Sequence, residues 1–133
     1  MRFILPLAAL FTLTSCQPPP IEIKLRHNEN GTQVRLSQDN GILFSKIEPP
    51  CIDFIQLMPG HTTGGGNLDG VKPVWSVYFE RVDGQSCVDL GTFRVGNVPA
   101  GFTEEVPFAG MPPGDYSLWV SGLGDGWREF TIE

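Results

Sequence analysis

The chain has 133 residues, of which 9 are basic and 15 acidic, so its net charge is −6. This acidic balance argues against binding to nucleic acid and against an electrostatic grip on anionic lipid. The length suits one domain with one core, and 41% hydrophobic residues argue against disorder. Sixteen glycines and 12 prolines favour many turns over long helices.

The first 15 residues have the three parts of a secretion signal. Arg2 supplies a positive charge, and residues 3–13 (FILPLAALFTL) are uncharged and mostly apolar. The small residues Thr14 and Ser15 then precede Cys16. The apolar run is too short to span a bilayer, because a spanning helix takes about 20 residues. We therefore predict a signal peptide over residues 1–15 rather than a transmembrane anchor.

The stretch Leu13-Thr14-Ser15-Cys16 resembles the lipobox of bacterial lipoproteins, which reads Leu, small, small, Cys. This resemblance covers only the first 17 residues. It implies cleavage before Cys16, a diacylglycerol thioether on the Cys16 sulfur and a third acyl chain on its amine. Several chains anchor a protein stably where one binds only marginally. Gln17 follows instead of Asp, which in a Gram-negative cell implies the outer membrane, facing the periplasm. The alternative is an ordinary secretion signal cut after Cys16.

The remaining cysteines fit an exported protein. If Cys16 carries lipid, Cys51 and Cys87 form an even pair, and an oxidising compartment favours a disulfide between them. The alternative is two separate buried thiols. We expect no zinc and no other cofactor, because there is no Cys-x-x-Cys and the only histidines are His27 and His61.

Behind the lipidated cysteine, residues 16–20 end in three prolines, which favour an extended, stiff spacer that lifts the domain off the membrane. Residues 21–26 (IEIKLR) and 32–36 (TQVRL) alternate apolar and polar side chains, as half-buried strands do. Asn30-Gly31 suits the positive φ angles of a tight turn between them. These features predict a β-hairpin.

The rest of the chain contains further short strand patterns and no sustained helical period. In residues 74–81 the side chains of Trp75, Val77 and Phe79 share one face. Short strands at this spacing predict an antiparallel β-sandwich of about seven to eight strands over residues 21–133. The other predicted strands are 51–57, 87–90, 92–95, 115–121 and 127–132.

The last two strands are predicted to pair through a turn at residues 122–126 (GLGDG). This pairing sets Leu118 opposite Phe130 and Tyr116 opposite Ile132, and that face is the predicted core. The segment MPPGDYSLWVSG, residues 111–122, resembles the terminal hairpin of transthyretin-like sandwich modules. That resemblance implies the same sandwich class and transfers no site.

Trp119 and Trp127 fall on the opposite face of this predicted hairpin, diagonally adjacent across the turn. Exposed tryptophans often mark contact sites, so the pair is a candidate contact patch. The alternative is that another strand or loop covers this face and the tryptophans are core residues.

Catalytic signals are weak. Residues 61–66 (HTTGGG) lack the Gly-Lys-Ser/Thr ending of a phosphate-binding loop, and the bland interpretation of residues 59–73 is a flexible loop. A triad of His61, Asp69 and a serine is conceivable, but no Gly-x-Ser-x-Gly accompanies it. A small hydrolase is therefore the least favoured function, and we predict that the protein is not an enzyme.

The leading hypothesis is a membrane-tethered, non-catalytic periplasmic module. Its expected partners are the lipid bilayer, through acyl chains on Cys16, and an unknown protein or envelope component. A narrower variant is an inhibitor or immunity-type lipoprotein whose acidic surface meets a basic enzyme, such as a lysozyme.

Overall fold

The computed structural model describes residues 17–61 and 70–133, and these residues form two packed antiparallel sheets. The β-sandwich predicted from the sequence is confirmed. No helix in the described ranges is long and apolar enough to cross a membrane. The strands are β1 (Ile21–Asn28), β2 (Gly31–Asp39), β3 (Ile47–Glu48), β4 (Cys51–Pro59), β5 (Trp75–Phe79), β6 (Val88–Asp89), β7 (Thr92–Arg94), β8 (Phe102–Val106), β9 (Gly114–Gly122) and β10 (Gly124–Ile132).

The first sheet is built on the β1–β2 hairpin, with β3 and β7 both pairing along the other edge of β2. Asn28 pairs with Gly31, so the two turn residues are Glu29 and Asn30. The expected Asn30-Gly31 turn is wrong by one position. Among residues 28–31, Gly31 alone has a positive φ, of 112°, and it is the first residue of β2. The turn therefore needs glycine just after its centre, where the strand begins.

The second sheet has the order β10-β9-β4-β5-β8, and β6 pairs with the start of β4. A disulfide joins Cys51, the first residue of β4, to Cys87, which directly precedes β6. Their Cα atoms are 5.3 Å apart, within the usual range for a disulfide. The predicted bridge is confirmed, and it closes a 36-residue separation in sequence.

The core lies between the sheets and follows the alternation of the strands. Trp75 and Val77 are fully buried, and Phe79 packs against the same cluster, as predicted.

Two strands, β3 and β8, were not predicted. β3 has only two residues, and β8 is an edge strand with exposed acidic side chains at Glu104 and Glu105. Such charges are typical of edges that must not pair with another chain.

The β9–β10 hairpin has a tighter turn than predicted. Gly124 pairs with Gly122, and Phe130 lies opposite Tyr116, so the predicted register is wrong by two residues. Gly122 and Gly126 occupy strand positions where the backbone of another strand lies too close to leave room for a side chain. A Cβ on Gly122 would lie 2.0 Å from the carbonyl oxygen of Cys51, and one on Gly126 would lie 2.4 Å from that of Ile21.

One end of the sandwich gathers the beginning of the domain, and we call it the N-terminal end. Ile21 pairs with Gln38, so β1 starts where β2 finishes. The buried side-chain amide of Gln38 donates hydrogen bonds to the carbonyl oxygens of Pro19 (2.8 Å) and Leu123 (2.7 Å). The β9–β10 turn therefore lies at this end too. The opposite end, with the β1–β2 turn, is the distal end.

Candidate functional site: an aromatic row on the second sheet

The candidate tryptophans lie on the outer face of the second sheet, on the opposite side of β9 from the fully buried Leu118. Trp119 pairs directly with Trp127, whereas the sequence predicted a diagonal contact. Because the register error is two residues, both side chains keep their predicted face. Trp127 is 52% exposed, and Trp119 is half-buried.

Two further aromatic side chains continue from this pair across the sheet. The ring of Phe54 on β4 meets that of Trp119 edge to face, with centroids 5.9 Å apart. Tyr78 on β5 pairs with Phe54 and is 37% exposed. Trp127, Trp119, Phe54 and Tyr78 therefore form a row across four adjacent strands, which we call the aromatic row.

A β-bulge places Phe54 on this face. The pairing of β4 with β9 shifts register between Ile52 and Phe54, and the extra residue is Asp53. Ile52 and Ile55 are both fully buried in the core. Without the bulge Phe54 would point the same way as Ile52, since side chains alternate along a strand.

The distal half of the same outer face is covered. Met58 and Gln56 on β4 are buried, and the hydroxyl of Ser117 on β9 donates to the carbonyl oxygen of Gly60 at 2.7 Å. Gly60, directly after β4, therefore contacts this face. Trp127 and Tyr78, at the two ends of the row, contact solvent.

Acidic side chains border the aromatic row. Asp125 and Glu129 flank Trp127 along β10 and are exposed. Asp53 at the bulge accepts a hydrogen bond from the hydroxyl of Ser121 at 3.3 Å. An apolar centre with a charged rim is the usual composition of a protein-binding surface.

His61 lies at the distal end, and its neighbours among the described residues are not arranged as a hydrolytic triad. Its Nε2 is 3.6 Å from a carboxylate oxygen of Asp115 and 3.2 Å from the carbonyl oxygen of Phe130. The hydroxyl of Thr131 donates to that same carboxylate oxygen at 2.7 Å. The carboxylate therefore stands between imidazole and hydroxyl, whereas nucleophile activation needs the imidazole between the other two. Asp69 lies outside the described residues.

The remaining predicted site residues are the three cysteines. Cys51 and Cys87 form the disulfide at the N-terminal end, and Cys16 lies outside the described residues. Residues 17–61 and 70–133 contain no group of three His, Cys, Asp or Glu side chains suited to hold a metal ion.

Two residues of the aromatic row, Phe54 and Tyr78, were not predicted from the sequence. Tyr78 follows from the predicted alternation of β5, but Phe54 needs the bulge.

Comparisons of the chain with protein-family models, with curated proteins and with solved structures found no match. The proposals for its function therefore rest on its own residues.

Proposed function

We propose that the protein is a membrane-anchored lipoprotein of the bacterial cell envelope, and that its β-sandwich is a non-catalytic module that binds a protein or another envelope component. The observation that carries the binding function is the aromatic row, in which Trp127 stays 52% exposed opposite Trp119. The anchor rests on the lipobox resemblance of Leu13-Thr14-Ser15-Cys16.

The aromatic row has the properties of a contact surface. The rings of Phe54 and Trp119 meet edge to face, so these two side chains lose little freedom on binding. Tryptophan and tyrosine are enriched among the residues that dominate binding energies. Trp127 stands on the outer face of β10, while β1 packs against the inner side of that strand, so a partner can reach Trp127 from the outer face.

Capture of a partner from the native envelope tests the binding function. The intact lipoprotein is cross-linked in its own cells and isolated, and the captured species are compared between wild type, Trp127→Ala and Thr131→Ala. Thr131 is a matched control because it is exposed on the same strand and face, four residues away and outside the acidic rim. We expect a species that wild type and Thr131→Ala retain and that Trp127→Ala loses. Equal capture by all three would contradict a contact through the row.

The acidic rim favours a second candidate, an inhibitor or immunity-type lipoprotein that blocks a basic enzyme. Asp53, Asp125 and Glu129 would face such a partner around the aromatic row. Association between oppositely charged surfaces weakens as salt screens the charges. If the captured partner is a basic enzyme, we expect its binding to weaken with added salt and its activity to fall on binding.

A further inference from the structure

The loop between β2 and β3 exposes three consecutive large apolar side chains. Ile42, Leu43 and Phe44 are 98%, 89% and 86% exposed, and we call them the apolar tip. Apolar side chains at this exposure remain in contact with water unless the tip meets a partner, and contiguous exposed apolar groups mark protein or membrane contacts.

The loop that carries the apolar tip is held closed by its own hydrogen bonds. The carboxylate of Asp39 accepts from the backbone N–H groups of Gly41 (3.0 Å) and Lys46 (2.9 Å) and from the hydroxyl of Ser45 (2.9 Å). A Cβ on Gly41 would lie 1.6 Å from the carbonyl oxygen of Phe44, so only glycine permits this closure. The three apolar side chains are thus presented by a structured loop.

The apolar tip lies at the N-terminal end, beside the point where the chain enters the domain. Ile21 pairs with Gln38, and the loop begins just after Asp39. A cleft of about 390 Å³ is lined by Pro19, Pro20, Asp39 and Ile47, so the predicted spacer runs against the base of the loop. Ile47 and Leu123 are exposed at the same end, by 64% and 60%.

The hydrogen bond from Gln38 fixes Pro19 to the domain, so only Gln17 and Pro18 separate Cys16 from this fixed point. Three residues span at most about 10 Å. Acyl chains on Cys16 would therefore hold the N-terminal end against the bilayer, whereas a free spacer would lift it away.

We propose that the apolar tip inserts into the lipid bilayer beside the acyl chains and fixes the orientation of the domain on the membrane. This inference rests on the proposed lipid anchor. The lipid acyl region is the occupant that the anchor brings within reach of these side chains. Near the base of the tip the one lysine, Lys46, is paired with Glu48, and Asp39 and Asp89 add negative charge, so insertion is apolar and needs no anionic lipid.

A fluorescent probe at the tip tests the inference in the intact, acylated protein. Phe44→Cys supplies one free thiol, because Cys16 is acylated and Cys51 is bonded to Cys87. Glu29→Cys, in the exposed turn at the distal end, is the matched control. Each variant is labelled with the polarity-sensitive dye NBD and placed in phosphatidylcholine vesicles. Leu43→Cys provides a second reporter if Phe44→Cys folds poorly.

We expect the label at position 44 to emit at shorter wavelength and to be quenched by lipids that carry a nitroxide on their acyl chains. The label at position 29 should emit as in water. An unshifted, unquenched label at position 44 would overturn the inference, and so would a shifted label that lipid nitroxides do not quench, since it would be buried against protein. Mass spectrometry of the same sample separates the two proposals. Missing acyl chains overturn both, whereas a water-exposed label on acylated protein overturns insertion alone.

Discussion

Trp127 lies directly opposite Trp119 across the β9–β10 pair, and the two tryptophans differ in their surroundings. Trp119 is half-buried against the ring of Phe54, while Trp127 is 52% exposed at the sheet edge. Leu118, the residue next to Trp119, points to the other side and is fully buried. Adjacent residues of β9 therefore face the core and the outer side of the sheet.

This separation predicts opposite effects of truncation. Leu118→Ala should lower the free energy of unfolding by about 2–5 kcal/mol, because it leaves a cavity in the core. Trp127→Ala should lower it by less than about 1 kcal/mol, because an exposed side chain makes few packing contacts. Urea melts of both variants measure the difference before any partner is known. If Trp127→Ala destabilises as much as Leu118→Ala, the exposed contact surface does not exist.

The disulfide predicts a defined thiol count. A thiol-reactive mass tag on the denatured, unreduced and acylated protein should add nothing, and after reduction it should add two equivalents, at Cys51 and Cys87. Replacing both by Ala should lower the free energy of unfolding by about 2–5 kcal/mol, as is typical of small exported domains. Two reactive thiols before reduction would be incompatible with the bond.

Because β10 lies close to β1, we predict a large loss of stability when a glycine of β10 is replaced. Gly126→Ala should destabilise the fold, since its Cβ would lie 2.4 Å from the carbonyl oxygen of Ile21 and force the two strands apart. Gly91→Ala is the matched control, because its Cβ would meet only Pro49, at an ordinary 3.6 Å. Thermal melts should show a clear loss for the first and little change for the second. Equal melting temperatures would disprove the close approach.

The loop that carries the apolar tip predicts a pH dependence. Hydrogen bonds from the backbone N–H of Lys46, then from the N–H of Gly41 and the hydroxyl of Ser45, lower the pKa of Asp39. A lowered pKa means that the ionised carboxylate stabilises the closed loop above the ordinary pKa of about 3.9. That stabilisation is lost as the pH falls through the lowered pKa.

Amide hydrogen exchange at Lys46 should therefore stay slow at neutral pH and show increased opening only in acid below the ordinary pKa of Asp39. Comparison at each pH with an unstructured peptide of the same sequence corrects for the intrinsic exchange rate. Asp39→Asn should remove the pH-dependent step while the β1–β2 hairpin keeps its protection. A step that persists in Asp39→Asn would assign the effect to another group.

The sequence predicted those elements whose side chains alternate. Ile21, Ile23 and Val34 mark the buried faces of β1 and β2, and the same period locates β5 and β9. The β9–β10 register was not predictable in this way, because glycines carry no side-chain pattern. Gly122 and Gly126 are set by the backbone of Cys51 and Ile21, which are distant in sequence.

The sequence predicted part of the candidate site because side chains alternate along a strand. Alternation placed Trp119 and Trp127 on one face even with the wrong register, since a shift of two residues preserves the face. Phe54 could not be assigned, because the run from Ile52 to Leu57 contains apolar residues on both sides of a bulge. Ile42, Leu43 and Phe44 are exposed although their side chains are apolar, so hydrophobicity did not predict their exposure and only the structure shows it.

Palmitate labelling is the most direct test of the proposed lipid anchor on Cys16. Cells that express the wild-type chain and cells that express Cys16→Ser are grown with radioactive palmitate, and the protein is isolated and sized. We expect label on the wild type, no label on Cys16→Ser, and retention of residues 1–15 by the variant because the lipoprotein peptidase does not cleave it. Equal labelling of both, or an unlabelled wild type that is cut after Cys16, would contradict the lipoprotein anchor.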